Sequence, residues 1–157
     1  MTGHRMFPYT DDPFGLAGWQ VSGLYAIDMP MHYAEGSFIQ TDDDTLHMFL
    51  RTGKGFLWHC VSTDDGVTWS LPDKTGFTDS TAKFHFGRLP DGRFYYIGNP
   101  STVAEYRTLF VLSLSDDGED WTESYLLRNE KTGPVFEGIY KDLGYQYPHS
   151  MVLDGSL

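Results

Sequence analysis

Residues 62–69 read "STDDGVTW" and residues 114–121 read "LSDDGEDW". Asp64, Gly66 and Trp69 align with Asp116, Gly118 and Trp121, each pair separated by the same 52 residues. A fixed period of this size marks a repeat architecture, in which one supersecondary unit recurs and neighbouring copies bury each other's apolar faces. Upstream of each copy lies another shared feature, an acidic turn between strand-like runs: "EGSFIQTDDDTLHMFLRT" in the first unit and "AKFHFGRLPDGRFYYIGN" in the second. A third begins at "YQYPHSMVLDGSL", where the sequence stops.

Phe, Ile, Leu, Met and Tyr flank these turns, and short Asp/Gly loops favour hairpin reversal. Each unit therefore reads strand, acidic turn, strand, loop, strand, Asp-Gly turn, strand. The predicted strands fall near 35–41, 45–51, 56–62 and 68–71, then near 82–89, 93–98, 107–115 and 121–127. Four antiparallel strands at this period are what a propeller blade requires, and no segment carries a long helical stripe. The expected fold is all-β, a partial β-propeller of about two and a half four-stranded antiparallel blades. The reading divides the chain into a connecting segment (1–31), a blade with the complete turn (32–78), a blade with the degenerate turn (79–130), and a linker with the start of a further blade (131–157). Closing a ring takes at least about four blades. The chain is accordingly expected to be part of a longer protein, or to associate with further copies.

Composition narrows the function classes. Of 157 residues, 16 % are aromatic and 17 are Gly, which suits short strands and tight turns. The formal charge of −11 repels polyanions, so nucleic acid is not an expected partner. An anionic substrate must then be held by a local cluster drawn from six arginines: Arg5, Arg51, Arg88, Arg93, Arg107 and Arg128. Cys60 is the only cysteine, which forbids an intrachain disulfide and reads as a buried strand residue. The six histidines (His4, His32, His47, His59, His85, His149) show no close ligand spacing, so neither a metal site nor a cofactor is expected. No apolar run reaches the roughly 20 residues of a membrane span, and the first twelve residues lack the apolar stretch of a signal peptide.

The stretch Ser62, Asp64, Gly66, Thr68, Trp69 fits Ser-x-Asp-x-Gly-x-Thr-Trp at every fixed position and resembles the Asp box of sialidases and related BNR-repeat propellers. The second copy keeps Asp116, Gly118 and Trp121, with Leu114 and Asp120 where Ser and Thr would stand. The expected role is structural: the Asp accepts hydrogen bonds from turn amides, the Gly permits a positive φ, and the Trp packs beneath the turn.

If the turn in "EGSFIQTDDDTLHMFLR" centres on Asp43, antiparallel pairing sets Glu35 opposite Arg51. On geometry alone this is equally an ordinary cross-strand ion pair. The segment also looks like the one that supplies a catalytic glutamate and a substrate-binding arginine in exo-α-sialidases. "GNPSTVAEYRTLFVLSLSDDG" resembles their next segment and carries a second arginine onto Arg107. "YPHSMVLDG" resembles the strand that opens with the tyrosine nucleophile, making Tyr147 the candidate, with Tyr145 and Tyr140 as rivals and His149 placed to line the same pocket. Alignment of the acidic turns sets Gln146 level with Glu35, so alternation alone would turn Tyr147 to the other face.

What the resemblance implies is a six-bladed exo-α-sialidase-like glycoside hydrolase in full length, secreted or periplasmic, cleaving terminal sialic acid or a related anionic sugar from glycans. Guanidinium groups bind the sugar carboxylate in bidentate fashion, and a neutral phenol avoids the repulsion that a carboxylate nucleophile would meet there. Tyr147 would attack, Glu35 would take its proton, and Arg51 and Arg107 would clamp the substrate. The family's first arginine and acid/base aspartate have no counterpart in the N-terminal segment, where Arg5 with Asp11 or Asp12 is the only candidate set, so the chain by itself is expected to be inactive. Two other readings stand beside this one: a non-catalytic glycan-binding propeller, and an enzyme eliminating across another acidic polysaccharide with Tyr147 or His149 as base.

Overall fold

The computed structural model describes residues 3–5, 7–22, 25–27, 35–133, 136, 143–155 and 157. Among these the chain forms twelve strands and no helix. Near the N-terminus, β1 (Gly3–Arg5) pairs antiparallel with β4 (Tyr25–Ile27), and β2 (Pro8–Tyr9) with β3 (Gln20–Val21). Asp12 organises the loop between β2 and β3 by accepting the N–H groups of Phe14, Leu16 and Ala17 at 2.9–3.0 Å.

Two four-stranded antiparallel blades follow, each in simple meander order. The first holds β5 (Gly36–Gln40), β6 (Leu46–Leu50), β7 (Phe56–Ser62) and β8 (Asp73–Thr78). The second holds β9 (His85–Arg88), β10 (Phe94–Gly98), β11 (Phe110–Ser115) and β12 (Glu123–Arg128). Gly36 pairs with Leu50 and Gln40 with Leu46, the register that a turn centred on Asp43 requires. Asp43 earns that position chemically: its Oδ1 accepts from Thr41 Oγ1 at 2.6 Å and from the Thr45 N–H at 3.1 Å.

The outer strands differ from their predicted places. The fourth strand of the first blade runs over Asp73–Thr78 and not 68–71. Trp69 belongs to the turn, its indole N–H folding back onto the Gly66 carbonyl at 3.0 Å, and Pro72 has no N–H to donate to a ladder. The same delay shifts the last strand of the second blade to Glu123–Arg128, while β11 begins three residues after Arg107. The strand expected in "YPHSMVLDG" is not formed: residues 145–152 have no strand assignment, and Leu153 makes only a bridge.

The blades pack face to face through an aromatic seam. Ile39, Phe49 and Leu57 of the first blade join Phe84, Phe86, Phe94 and Tyr96 of the second in one buried cluster. Phe49 stacks on Phe86 with centroids 4.1 Å apart, and Trp121 meets Phe77 and Phe86 edge-on. Such ring pairs contribute about 0.5–1.5 kcal/mol each beyond the area they bury. Next to the seam, Ser37 Oγ accepts the Phe86 N–H at 2.9 Å and ties the first strands of the two blades together. A second cluster, built on Leu50, Cys60 and Trp69, seats the N-terminal hairpin through Phe7. Cys60 is buried as expected, and burial pushes its thiol up to about 12, so it stays protonated.

The two Asp-Gly turns are built alike but one residue out of step. In the first, Asp64 accepts from Ser62 Oγ, from the Thr68 N–H and from Thr68 Oγ1 at 2.6–2.8 Å, while Ser62 Oγ takes the Gly66 N–H. In the second, Ser115 and Asp117 do this, not Leu114 and Asp116. The turn is shorter by one residue between its serine and its glycine, and the neighbouring serine substitutes for the one missing at 114. Gly118 keeps its aligned role: at φ 84 its missing Cβ would lie 2.9 Å from Ile39 Cδ1 of the other blade. Trp121 likewise keeps its inward place at the seam. Asp64→Ala and Asp117→Ala are therefore each expected to lower the urea midpoint of unfolding, while Asp116→Ala is expected to leave it unchanged.

Candidate functional site

At the end of the first hairpin remote from its turn, the Arg51 N–H donates to the Glu35 carbonyl at 2.9 Å, and the two side chains form an ion pair between Nη1 and Oε2. Arg51 is buried while Glu35 is open to solvent. The same Nη1 donates to the Tyr147 hydroxyl at 3.2 Å, so carboxylate and phenol share one guanidinium nitrogen. Burial pulls the Arg51 guanidinium down, but its hydrogen bonds to Tyr147 and Glu35 outweigh that and hold it above its ordinary value.

Arg107 reaches the same place from the loop before β11. It is 6 % exposed, and its Cζ lies 6.0 Å from the Tyr147 ring centroid, against 5.8 Å for Arg51. Its Nη1 donates to Gln146 Oε1. Both Nη2 groups converge on one acceptor, the Thr81 carbonyl, at 2.6 Å from Arg51 and 2.9 Å from Arg107.

Tyr147 and Gln146 both face the arginines, which strict alternation forbids. Tyr147 has φ 58, and this left-handed residue breaks the alternation. The segment before it is fastened to the Arg107 loop: Arg107 bridges Gly144, and the Tyr145 N–H donates to the Arg107 carbonyl at 2.9 Å. Asn99 Nδ2 donates to the carbonyls of Arg107, Leu109 and Tyr145 at 2.7–3.1 Å. Gly144 has φ 104, and a Cβ there would sit 2.2 Å from the Arg107 carbonyl oxygen, so only glycine permits this approach.

Other predicted positions lie elsewhere. His149 stacks on His85 with centroids 5.2 Å apart, beside a hollow lined by Ser37, Phe38, Lys83 and Pro148. Tyr145 donates its hydroxyl to Glu130 at 2.8 Å. Tyr140 and the side chain of Arg5 lie outside the described residues, and Asp12 is engaged by its own loop. A cavity of about 700 Å³ opens between the blade faces, where His47 and His59 hydrogen-bond at 3.1 Å among Phe49, Phe77 and Trp121. Convergent polar groups mark chemistry more specifically than volume does.

Sequence reasoning missed the groups behind the arginines. Asp79 is buried, and burial pushes its carboxyl up to about 6 against the downward pull of the Ala82 N–H and the Arg51 charge. Thr81, two residues on, holds φ 64. The only signal for either was the polar run "TDSTAK", which reads as an ordinary loop.

The architecture is that of a sialidase-type propeller segment. The chain belongs to the BNR repeat-like domain family, whose model matches residues 1–157. It is similar to the leech intramolecular trans-sialidase complexed with 2,7-anhydro-Neu5Ac, with TM-score 0.64 and 18 % identity over 90 % of this chain and 21 % of that one. It is also similar to the intramolecular trans-sialidase of Ruminococcus gnavus in complex with oseltamivir carboxylate, with TM-score 0.61, 19 % identity, and 80 % and 29 % of the two chains covered. A point mutant of the NanB sialidase of Streptococcus pneumoniae gives TM-score 0.62 and 23 % identity, with 82 % and 21 % covered. At these identities the likeness is one of fold. The chain thus spans under a third of the length of these three structures. No curated protein matches it.

Two titrating groups, the buried Asp79 and the half-buried His59, give a pH test. Asp79 is held near 6 against an ordinary 3.8, so its contribution is full below about 4 and is lost as pH rises through about 6. Burial, helped by His47, holds His59 at about 4 against 6.5, so its contribution is full above 6.5 and is lost as pH falls through about 4. The slopes oppose each other. Wild-type stability should be nearly flat between pH 4 and 6.5 from these two groups. His59→Gln should leave stability falling with pH and Asp79→Asn should leave it rising, each by about 2 kcal/mol once solvent screening at His59 is allowed for. Urea titrations across that window measure both.

Proposed function

We propose that this chain carries the arginine, glutamate and tyrosine part of a site that binds a terminal sialic acid, or a related anionic sugar, in a sialidase-like glycosidase. The observation that carries the reading is the convergence of two buried guanidiniums, from different blades, beside one phenol and one carboxylate. A planar carboxylate on the substrate accepts from such a pair in bidentate fashion, taking over the Nη1 positions now directed at Gln146 and at Glu35 and Tyr147. With its hydroxyl beside Arg51 and the residue 49 % exposed, Tyr147 is open to an incoming anomeric carbon. Glu35, displaced from that guanidinium nitrogen by the substrate carboxylate and left beside the phenol, takes the phenolic proton as the bond to the sugar forms, and returns it when water releases the product. Protonation of the leaving-group oxygen needs an acid/base residue, which in a complete propeller another blade would supply. The sialidase and trans-sialidase neighbours support sialic acid as the sugar class.

The chain itself can be titrated with 2-deoxy-2,3-didehydro-N-acetylneuraminate and followed by two-dimensional NMR. Binding should weaken roughly 10- to 100-fold in Arg51→Ala and in Arg107→Ala, the scale of one lost charge-assisted bidentate contact, and Tyr147→Phe should retain most of it. In a protein carrying the complete propeller, Tyr147→Phe should abolish release of 4-methylumbelliferone from its sialoside. Binding in both arginine variants as tight as in wild type excludes the clamp, and full turnover in Tyr147→Phe excludes the nucleophile.

A further inference from the structure

The loop joining the two blades, residues 79–82, is held in an uncommon shape. Thr81 is β-branched and sits at φ 64, where such residues are outliers that persist only when their surroundings over-determine them. Several contacts do so. The Asp79 N–H donates to the Gly55 carbonyl at 2.9 Å, and Asp79 Oδ1 accepts the Ala82 N–H at 3.4 Å, closing the loop from inside. Ser80 is held on both sides: its N–H donates to the Asn99 carbonyl at 3.1 Å, and its carbonyl accepts the Glu105 N–H at 2.7 Å. The Asp79 carboxyl is 1 % exposed by residue, a costly place for a charged side chain with no structural purpose. What the strained loop gains is direction: the Thr81 carbonyl points at both guanidiniums at once.

We propose that Asp79 and Thr81 are positioning residues for the arginine pair, Asp79 holding Thr81 in its left-handed conformation so that one carbonyl sets the planes of Arg51 and Arg107 together. The inference rests on the proposed role of the two arginines as a carboxylate clamp. Without the Asp79 carboxyl, Thr81 relaxes to negative φ, its carbonyl turns away, and each guanidinium loses the acceptor it shares with the other. An asparagine keeps an oxygen for the Ala82 N–H and preserves the loop, whereas alanine does not. A glycine at 81 occupies positive φ without the help of Asp79.

Four forms of the chain test this: wild type, Asp79→Asn, Asp79→Ala, and Asp79→Ala combined with Thr81→Gly. The ligand-independent readout is rotation of the Arg51 and Arg107 guanidiniums, seen in their side-chain NMR signals. Expected is slow rotation in wild type and Asp79→Asn, fast rotation in Asp79→Ala, and slow rotation again in the double variant. Affinity for 2-deoxy-2,3-didehydro-N-acetylneuraminate should follow the same order, about 10-fold weaker in Asp79→Ala and recovered with Thr81→Gly. Should Asp79→Ala not fold, the double variant decides: folded with wild-type arginine signals supports the proposal, and unfolded or with averaged signals overturns it. Unchanged rotation in Asp79→Ala, or no recovery with Thr81→Gly, also overturns it. If wild type does not bind the probe, the clamp reading fails while rotation still judges the positioning of the arginines.

Discussion

Two guanidiniums that approach from different blades end on one carbonyl oxygen, that of Thr81. Like charges do not gather in a protein interior unless something holds them, since each carries a desolvation cost and repels the other. The acceptor here sits in the connection between the blades, so the geometry of the charged pair is a direct readout of how the blades dock. Glu35 and Tyr147 then add to Arg51, and Gln146 to Arg107, around a centre that the inter-blade loop has already set.

The docking itself rests on apolar contacts. Phe49 stacks on Phe86 and Trp121 closes the seam edge-on, so the blades meet through rings with few ways of fitting together. Gly118 allows the second turn to approach Ile39, and Ser37 links the two first strands through Phe86. A close-packed seam transmits position with little slack, which the site requires because its arginines are supplied by both sides of it. The last described segment is tied to the second blade by Asn99, Gly144 and the Ser150–Tyr95 hydroxyl contact, carrying Tyr147 with it.

Much of this was legible in the chain. The 52-residue spacing of Gly66/Gly118 and Trp69/Trp121 marks the repeat, and the acidic turn at Asp43 sets the register that places Glu35 beside Arg51. Hairpin register is a local property, so counting from the turn was enough. The outer strand of the first blade slipped because Trp69 and Pro72 extend the turn beyond the repeated motif, and Asp117 displaced Asp116 because a neighbouring serine served equally well in a shorter loop. Alternation misplaced Tyr147 because it holds only for regular strands, and a single residue at positive φ resets it.

Sequence alone, then, determined the repeat, the all-β class, the pairing inside the first hairpin and the identity of the residues with chemistry to offer. Those follow from periodicity and turn composition, which act over a few residues. Tertiary structure decided which of them meet: Arg51 with Arg107, Tyr147 with both, His149 with His85 instead, and Asp79 with Thr81 behind the pair. Each of those meetings depends on blade docking or on a left-handed backbone residue, and neither leaves a periodic trace in the order of amino acids.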